Sequence, residues 1–330
     1  MRTRPAGRAG LTVTELSFGA AQIGNLVRPM SDEQATGVVD AAWSAGVRYF
    51  DTAPHYGLGL SERRLGTGLA RRPRDEFVVS TKVGRLLVPD PEGVSRRDTE
   101  GFDVPAARRR IRDYSRDGVL RSLDDSLARL GLGHVDIAFV HDPDSHYREA
   151  LEGAFPALEQ LRQEGAINSY GAGMNQSAML AEFVRHTDLD IVMLAGRYTV
   201  LEQGALDDLL PLCLEHHVSV IAAGVFNSGL LARDWPAPGA TYNYAPAPAA
   251  LLERANRIAD VCERFGTTLP RAAAQLPLAH PAVASVCLGM RSPEQVRRNA
   301  AIFRTPVPKE LWPALKSEGL LREDAPTAGA

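Results

Sequence analysis

Short apolar runs alternate with amphipathic stretches along almost the whole chain, and this rhythm most narrowly limits what the sequence can fold into. The runs Val13–Phe18, Val47–Phe50, Phe77–Thr81, Val135–Val140, Ser169–Gly173, Ile191–Leu194, Val218–Ala223 and Ala284–Leu288 are strand-sized. They are apolar without polar alternation, as parallel strands buried on both faces must be. Between them, helical spacing marks Asp32–Ser44, Ser61–Ala70, Gly118–Leu130, Tyr147–Glu164, Ser177–His186 and Ala205–His216. Ala249–Phe265, Pro270–Ala279 and Pro293–Phe303 follow the same spacing. Ser31 and Ser61 read as N-caps, Gly131 as a C-terminal glycine and Gly165 as a stop. About eight strand-then-helix units predict an α/β fold, the (β/α)8 TIM barrel. The rival is a doubly wound open sheet with a phosphate-binding GxGxxG at its first turn. The glycines available there, Gly19 and Gly24, do not form that motif.

A barrel accommodates all 330 residues as one domain, 1–330. Two segments interrupt the rhythm: Val83–Asp117, polar and charged, and Phe226–Pro248, rich in proline. Long loops after barrel strands lie at the C-terminal face, where barrel active sites are built, so both are candidate substrate walls. Arg322–Ala330 reads as a frayed tail. The net charge of −3 provides no basic field for nucleic acid or anionic lipid, so neither is expected as a partner. The three cysteines, Cys213, Cys262 and Cys287, are far apart and read as buried small side chains without disulfide or metal spacing. The basic start MRTRPAGRAG is followed by no apolar signal region, and no run of about 18 apolar residues occurs. The expectation is a cytoplasmic protein. Monomer and homo-oligomer are both open.

Polar residues at the ends of the early strands form a coherent set. Asp51 ends the second strand, Tyr56 follows in DTAPHYGLGLSE, Lys82 ends the third strand in VVSTK, and His141 ends the fourth in IAFVH. A barrel brings neighbouring strand ends onto one rim. A tyrosine is mostly protonated at neutral pH, and a nearby ammonium lowers its pKa. Lys82 is positioned to supply that charge, Asp51 to hold Lys82, and His141 to hydrogen-bond a substrate oxygen. Tyr56 then transfers a proton while a cofactor transfers hydride. No third metal ligand accompanies Asp51 and His141, which argues against a metal-dependent barrel hydrolase, and no metal site is expected.

GVRYFDTAPHYGLGLSERRLG, VVSTK, VDIAFVHD, GAGMN and LGMRSPEQVRRN together resemble the aldo-keto reductases over nearly the whole chain. The resemblance implies a barrel closed by a short N-terminal hairpin, within Met1–Val13, and the catalytic tetrad Asp51, Tyr56, Lys82 and His141. It also implies a nicotinamide cofactor lying across the rim without a Rossmann domain. The cofactor residues it implies are Gly19, Asn175, Phe226, Asn227, Ser228, Gly229, Gly289, Arg291, Gln295, Arg298 and Asn299. His55, Asp142, Trp235 and Tyr242 are candidate substrate contacts, with the aromatic faces suited to a sugar ring.

RDYSRDGVLRSLDDSLARLGL, FNSGLL and YNYAPAPAALLERANRI resemble the sugar dehydrogenases of that family. This implies oxidation of the anomeric hydroxyl of an L-fucose-type (D-threo) aldose to a lactone, with Tyr56 as general base. Three departures stand out. Met174-Asn175 replaces the family's serine-asparagine, MLAGRY replaces a strand-six glutamine stretch, and Ala223 or Gly224 replaces an aromatic that stacks on the nicotinamide. Phe226 is a substitute candidate for that aromatic. Gly289 and Gln295 stand where NADP-preferring members carry cations for the 2′-phosphate, which favours NAD. Arg291, Arg297 and Arg298 nearby keep NADP open. An NADPH-dependent carbonyl reductase and a nucleotide-binding regulatory subunit are the competing functions.

Overall fold

In the computed structural model, residues 1–8 and 10–327 are described. Eight parallel strands close into a barrel in chain order: β1 Leu16–Gly19, β2 Tyr49–Asp51, β3 Val78–Val83, β4 Ile137–His141, β5 Ser169–Met174, β6 Ile191–Ala195, β7 Ser219–Ala223 and β8 Val283–Gly289. The expected (β/α)8 barrel is therefore present. An antiparallel hairpin, Thr3–Ala6 and Leu11–Thr14, precedes it. Ala6 and Val13 pack with Tyr49, Phe139, Ile191 and Ile221, so the hairpin plugs the N-terminal end of the barrel interior.

The single run expected over Val13–Phe18 is two strands. Glu15 separates them, buried and paired with Arg2 Nε at 2.8 Å and Arg4 Nε at 2.9 Å. A buried carboxylate needs partners, and supplying them turns the chain out of the hairpin. The predicted helix Asp32–Ser44 starts with a capping box between Ser31 and Gln34. Ser61 is not a cap, contrary to expectation. It lies inside the helix Leu60–Leu69, which begins after Gly59 at φ 83°. Its hydroxyl donates to Ala20 O at 2.7 Å and lies 2.9 Å from the Thr52 hydroxyl. The long helix expected over Tyr147–Glu164 contains a π-turn, Ala150–Ala154, before Phe155–Gln163. Pro156 has no N–H to donate to the preceding turn, and the extra residue relieves that mismatch.

Both expected long segments carry structure of their own. Val83–Asp117 contains an antiparallel hairpin, Arg85–Pro89 with Arg108–Arg112. Phe226–Pro248 contains the short turn Asn227–Gly229 and a small ladder, Thr241–Tyr242 with Ala245–Pro246. The expected tail Arg322–Ala330 is anchored at two points among its described residues: Ala325 is buried, and Arg322 pairs with Asp207 at 2.7 Å, while Glu323 and Asp324 are exposed. The rest of that tail lies outside the described residues. A helix not anticipated, Leu311–Ser317, buries Trp312 against the helix Ala249–Arg264. The three cysteines are free and buried, and burial pushes their thiols up to about 12. Among the described residues, no helix is long and apolar enough to cross a membrane.

Gly171 in β5 shows how tightly the wall is closed. A Cβ there would stand 1.5 Å from Ile191 O of β6. Gly171→Ala should therefore force the two strands apart and lower stability by about 1–3 kcal/mol or more. Chemical denaturation measures it, and an unchanged midpoint would show that the wall yields.

Candidate active site

The C-terminal ends of β2, β3 and β4 converge as the barrel requires. Lys82 and Asp51 are both 2% exposed, and Lys82 Nζ lies 2.6 Å from Asp51 Oδ2. Lys82 Nζ also donates to Thr52 O at 3.0 Å. The second carboxylate oxygen of Asp51 accepts from Ser80 Oγ at 2.7 Å, and Ser80 is in turn 3.1 Å from the Tyr49 hydroxyl. This network satisfies a buried ion pair with extra hydrogen bonds, which such a pair needs if it is to survive desolvation. Burial alone would lower the Lys82 pKa, but Asp51 and Tyr56 outweigh it and hold the ammonium above its ordinary value.

Tyr56 lies over this pair, its ring centroid 5.0 Å from Lys82 Nζ. Two glycines permit the approach. Gly57 sits at φ 62°, and a Cβ there would stand 2.2 Å from Gly24 O. A Cβ on Gly24 would in turn meet the Tyr56 carbonyl at 2.9 Å. The loop is also anchored from below by Glu62, fully buried, which accepts from Thr81 Oγ1 at 2.8 Å and pairs with Arg129 at 2.6 Å. One sequence expectation needs correction. Lys82 does pull the Tyr56 phenol down, but burial is the larger effect and Asp51 opposes Lys82, so the phenol stands above its ordinary value. Tyr56 is therefore held mainly protonated beside a cation.

His141, 6% exposed, presents its ring edge to Tyr56 at 5.9 Å and 88°. Burial, then Arg85 and Lys82, hold it well below the usual histidine range, so it is neutral. Its Nδ1 is buried without a hydrogen-bond partner, and its Nε2 lies 3.5 Å from Asp142 Oδ2. His55 stands 5.5 Å from His141 and is pushed down to about 2 by burial and by Arg85 and Arg110. Asp142 follows His141 with a positive φ of 42°, a costly conformation for a non-glycine residue. Phe102 closes the stack, 5.9 Å from Tyr56 and 5.2 Å from His55. Phe102, Arg85, Arg110 and Arg112 all come from the Val83–Asp117 segment, and sequence reading did not single them out. Arg85 contacts His55 and Asp142, Arg110 donates to His55 O at 2.9 Å, and Arg112 donates to Asp142 O at 3.0 Å. The available signal was the RRRIRDY run, an unusual density of cations that includes Arg110 and Arg112.

The expected cofactor residues occupy the opposite side of the rim. Gly19 and Gly289 are direct partners across β1 and β8, and a Cβ on Gly19 would press on Cys287 Sγ at 3.1 Å. Asn175, exposed at the end of β5, donates to Ala195 O at 3.0 Å. Asn227, Ser228 and Gly229 have φ of 44°, 58° and 98°. Within this turn Asn227 N donates to Gly224 O at 2.8 Å and Gly229 N to Phe226 O at 2.9 Å, so both N–H groups are engaged by the turn itself. Asn227 Oδ1 and Asn299 Oδ1 are buried without partners. The side-chain-free edge at Gly19 and Gly289 leaves room at the rim for a dinucleotide.

Three candidates are more engaged than the sequence suggested. Arg291 donates to Arg28 O at 3.3 Å and Pro29 O at 3.1 Å. Gln295 accepts from Arg291 N at 2.9 Å and caps its helix with Ser292. Phe226 packs against both apolar clusters outside the barrel. Arg298 is exposed and reaches only Ala232 O at 3.4 Å. Of the aromatic candidates, Tyr242 donates to Glu202 at 2.8 Å, in the network that also holds Asn227. Trp235 instead lines a separate surface groove with Leu252, Asn256, Arg257 and Glu318. Among the described residues, no three His, Cys, Asp or Glu side chains converge to hold a metal ion.

The sequence model of the Aldo/keto reductase family matches residues 15–318. The chain is 47% identical to a D-threo-aldose 1-dehydrogenase from Pseudomonas sp, covering 97% of this chain and 98% of that protein. It is 41% identical to a pyridoxal 4-dehydrogenase from Microbacterium luteolum, covering 96% and 97%. The holo form of an aldo-keto reductase from Bacillus halodurans has a similar structure, with a TM-score of 0.76 at 26% identity and 99% of both chains covered.

Proposed function

This chain belongs to the aldo/keto reductase family, an oxidoreductase acting on CH–OH groups with a nicotinamide cofactor, and on that premise we propose that it oxidises the anomeric hydroxyl of an aldose to a lactone. The observation that carries the chemistry is the Lys82 ammonium, locked to Asp51 at 2.6 Å beneath the Tyr56 ring, with neutral His141 edge-on to that ring. The bound nicotinamide supplies the acceptor for the hydride that leaves the sugar carbon.

The chain's own residues manage the proton and the alignment. Tyr56 takes the proton of the anomeric hydroxyl as general base from its minor phenolate form, which burial and Asp51 oppose and Lys82 stabilises. Asp51 holds Lys82 in place and ionised. His141 hydrogen-bonds the reacting oxygen and sets its angle to Tyr56. His55 and Asp142 border the same pocket and meet the remaining hydroxyls. Asn175 holds the nicotinamide amide, the Asn227–Gly229 turn the diphosphate, and the Gly289–Asn299 stretch the adenosine end. NAD is favoured over NADP because Arg291 is already bound to backbone carbonyls and Gln295 to its own helix start, whereas a 2′-phosphate needs free cations. The reading places the protein in the cytoplasm.

The substrate class rests on the near-full-length similarity to the D-threo-aldose enzyme. The 41% identity to a pyridoxal 4-dehydrogenase supports pyridoxal, as its cyclic hemiacetal, as the second reading. The test is growth of the reduced-nicotinamide absorbance with NAD+ or NADP+ and L-fucose, D-arabinose, L-galactose or pyridoxal. Growth with NAD+ and the D-threo sugars is expected. Growth with pyridoxal alone would establish the second reading. Silence with every alcohol, together with NADPH consumption by simple aldehydes, would replace both with a carbonyl reductase.

A further inference from the structure

Arg85, the first residue of the hairpin in the Val83–Asp117 segment, is 7% exposed and touches both flanks of the pocket. Its Nη1 lies 3.2 Å from His55 Nδ1, and its Nη2 donates to Asp142 Oδ2. A guanidinium can only donate. His55 Nδ1 must therefore carry the lone pair, and the ring proton sits on Nε2. Each histidine also has a carboxylate within reach. Asp142 Oδ2 is 3.5 Å from His141 Nε2, and Glu100 Oε2 is 3.7 Å from His55 Nδ1. Arg85 faces both carboxylates, with Glu100 Oε2 3.9 Å from its Nη1.

We propose that Arg85 is a positioning residue of the reaction: it engages Asp142 and, together with Arg110, faces Glu100, so that both histidines are denied an acidic partner; it fixes the His55 tautomer and leaves Nε2 of His141 free for the substrate oxygen. This rests on the reading of His141 as the group that meets that oxygen. The surrounding charges agree. His141 is faced by Arg85 and Arg112 from the hairpin, Lys82 from β3, His55 and Tyr56 from the loop after β2, and Asp142 from its own strand. His55 is faced by Arg85, Arg110, Arg112, Lys82 and Glu100, and by the rings of Tyr56 and His141. Burial and these cations disfavour either imidazolium. Removing Arg85 takes away one cation and releases Asp142, while Glu100 stays paired with Arg110 at 3.3 Å, and both changes favour protonation. An imidazolium beside the reacting carbon opposes hydride departure, because that carbon becomes more positive as hydride leaves.

The test follows the histidine ring resonances of the cofactor-free, isotope-labelled full chain from pH 5 to 8.5, alongside the pH profile of kcat/KM. In the unaltered protein neither His55 nor His141 should titrate in that window. In Arg85→Met at least one should gain charge there, and oxidation should acquire an acid limb falling about tenfold per pH unit. Arg85→Gln keeps an N–H donor without the charge and should behave alike, which covers a methionine variant that fails to fold. Unmoved ring resonances in the folded variants overturn the proposal whatever the activity, and so does histidine titration in the unaltered protein. Because the ring signals need no turnover, inactivity toward aldoses would sink the substrate reading and leave this test intact.

Discussion

Tyr56→Phe is expected to lower turnover by about 10²–10⁴-fold while leaving NAD+ affinity unchanged. The substitution removes one oxygen. The ring keeps its contact with Phe102 at 5.9 Å and its edge contact with His141. Gly24 and Gly57 still hold the loop, since their fit is to backbone atoms. What disappears is the phenolic hydroxyl of the ring seated over the Lys82–Asp51 pair, the group that exchanges a proton with the substrate. Single-turnover rates and cofactor titration on the same preparation check the expectation. Rates within about threefold of the unaltered protein would move proton transfer to another group, with His141 next in line.

Lys82→Met should have the second-largest effect and should be felt twice. Asp51 would remain 2% exposed with its ammonium gone, retaining only the Ser80 hydroxyl. Removing one partner of a buried pair costs about 3–5 kcal/mol. The raised pKa of Lys82 sets the pH window of that contribution. It is fully present below the unfolded lysine value of about 10.4 and is lost only as pH rises through the higher folded value. The loss in the variant should therefore be the same across neutral pH. The residual activity should also need more alkaline solution, since Tyr56 loses the cation that draws its phenol down. Asp51→Leu combined with Lys82→Met separates the two effects. The double variant should recover most of the stability and none of the turnover. A recovery of both would mean that the pair is a structural strut and no part of the chemistry.

Much of this was legible in the residues, for identifiable reasons. Ser31 and Gly131 act over one helical turn, so local chemistry fixes the ends they cap. Asp51, Lys82 and His141 end their strands, and the barrel's topology alone then brings them together. Long-range partners were not legible. Glu15 breaks a strand because Arg2 and Arg4 fold back on it, and Ser61 is held by Ala20, forty-one residues away. The direction of the Tyr56 shift depends on how much burial opposes Lys82, and spacing in sequence carries no measure of burial. Arg85 and Arg110 looked like surface charge within a polar insert. Only the hairpin shows that both turn inward.

That hairpin is sealed at its root. Asp113 N donates to Gly84 O at 3.1 Å, and Arg85 is paired with Arg112 directly above. The barrel therefore receives this segment as two adjacent chain ends, and touches it again where Val27 N donates to Gly101 O at 2.8 Å, Asp103 N to Asn25 O at 2.9 Å, and Phe102 and Arg110 reach the Tyr56 loop. Lengthening the tip costs only loop-closure entropy, about 0.6 kcal/mol for each doubling, and disturbs no barrel strand. One wall of the pocket can thus drift in length and composition while the rim it leans on stays fixed, so descendants of this fold can acquire new substrates by rewriting a detachable cuff.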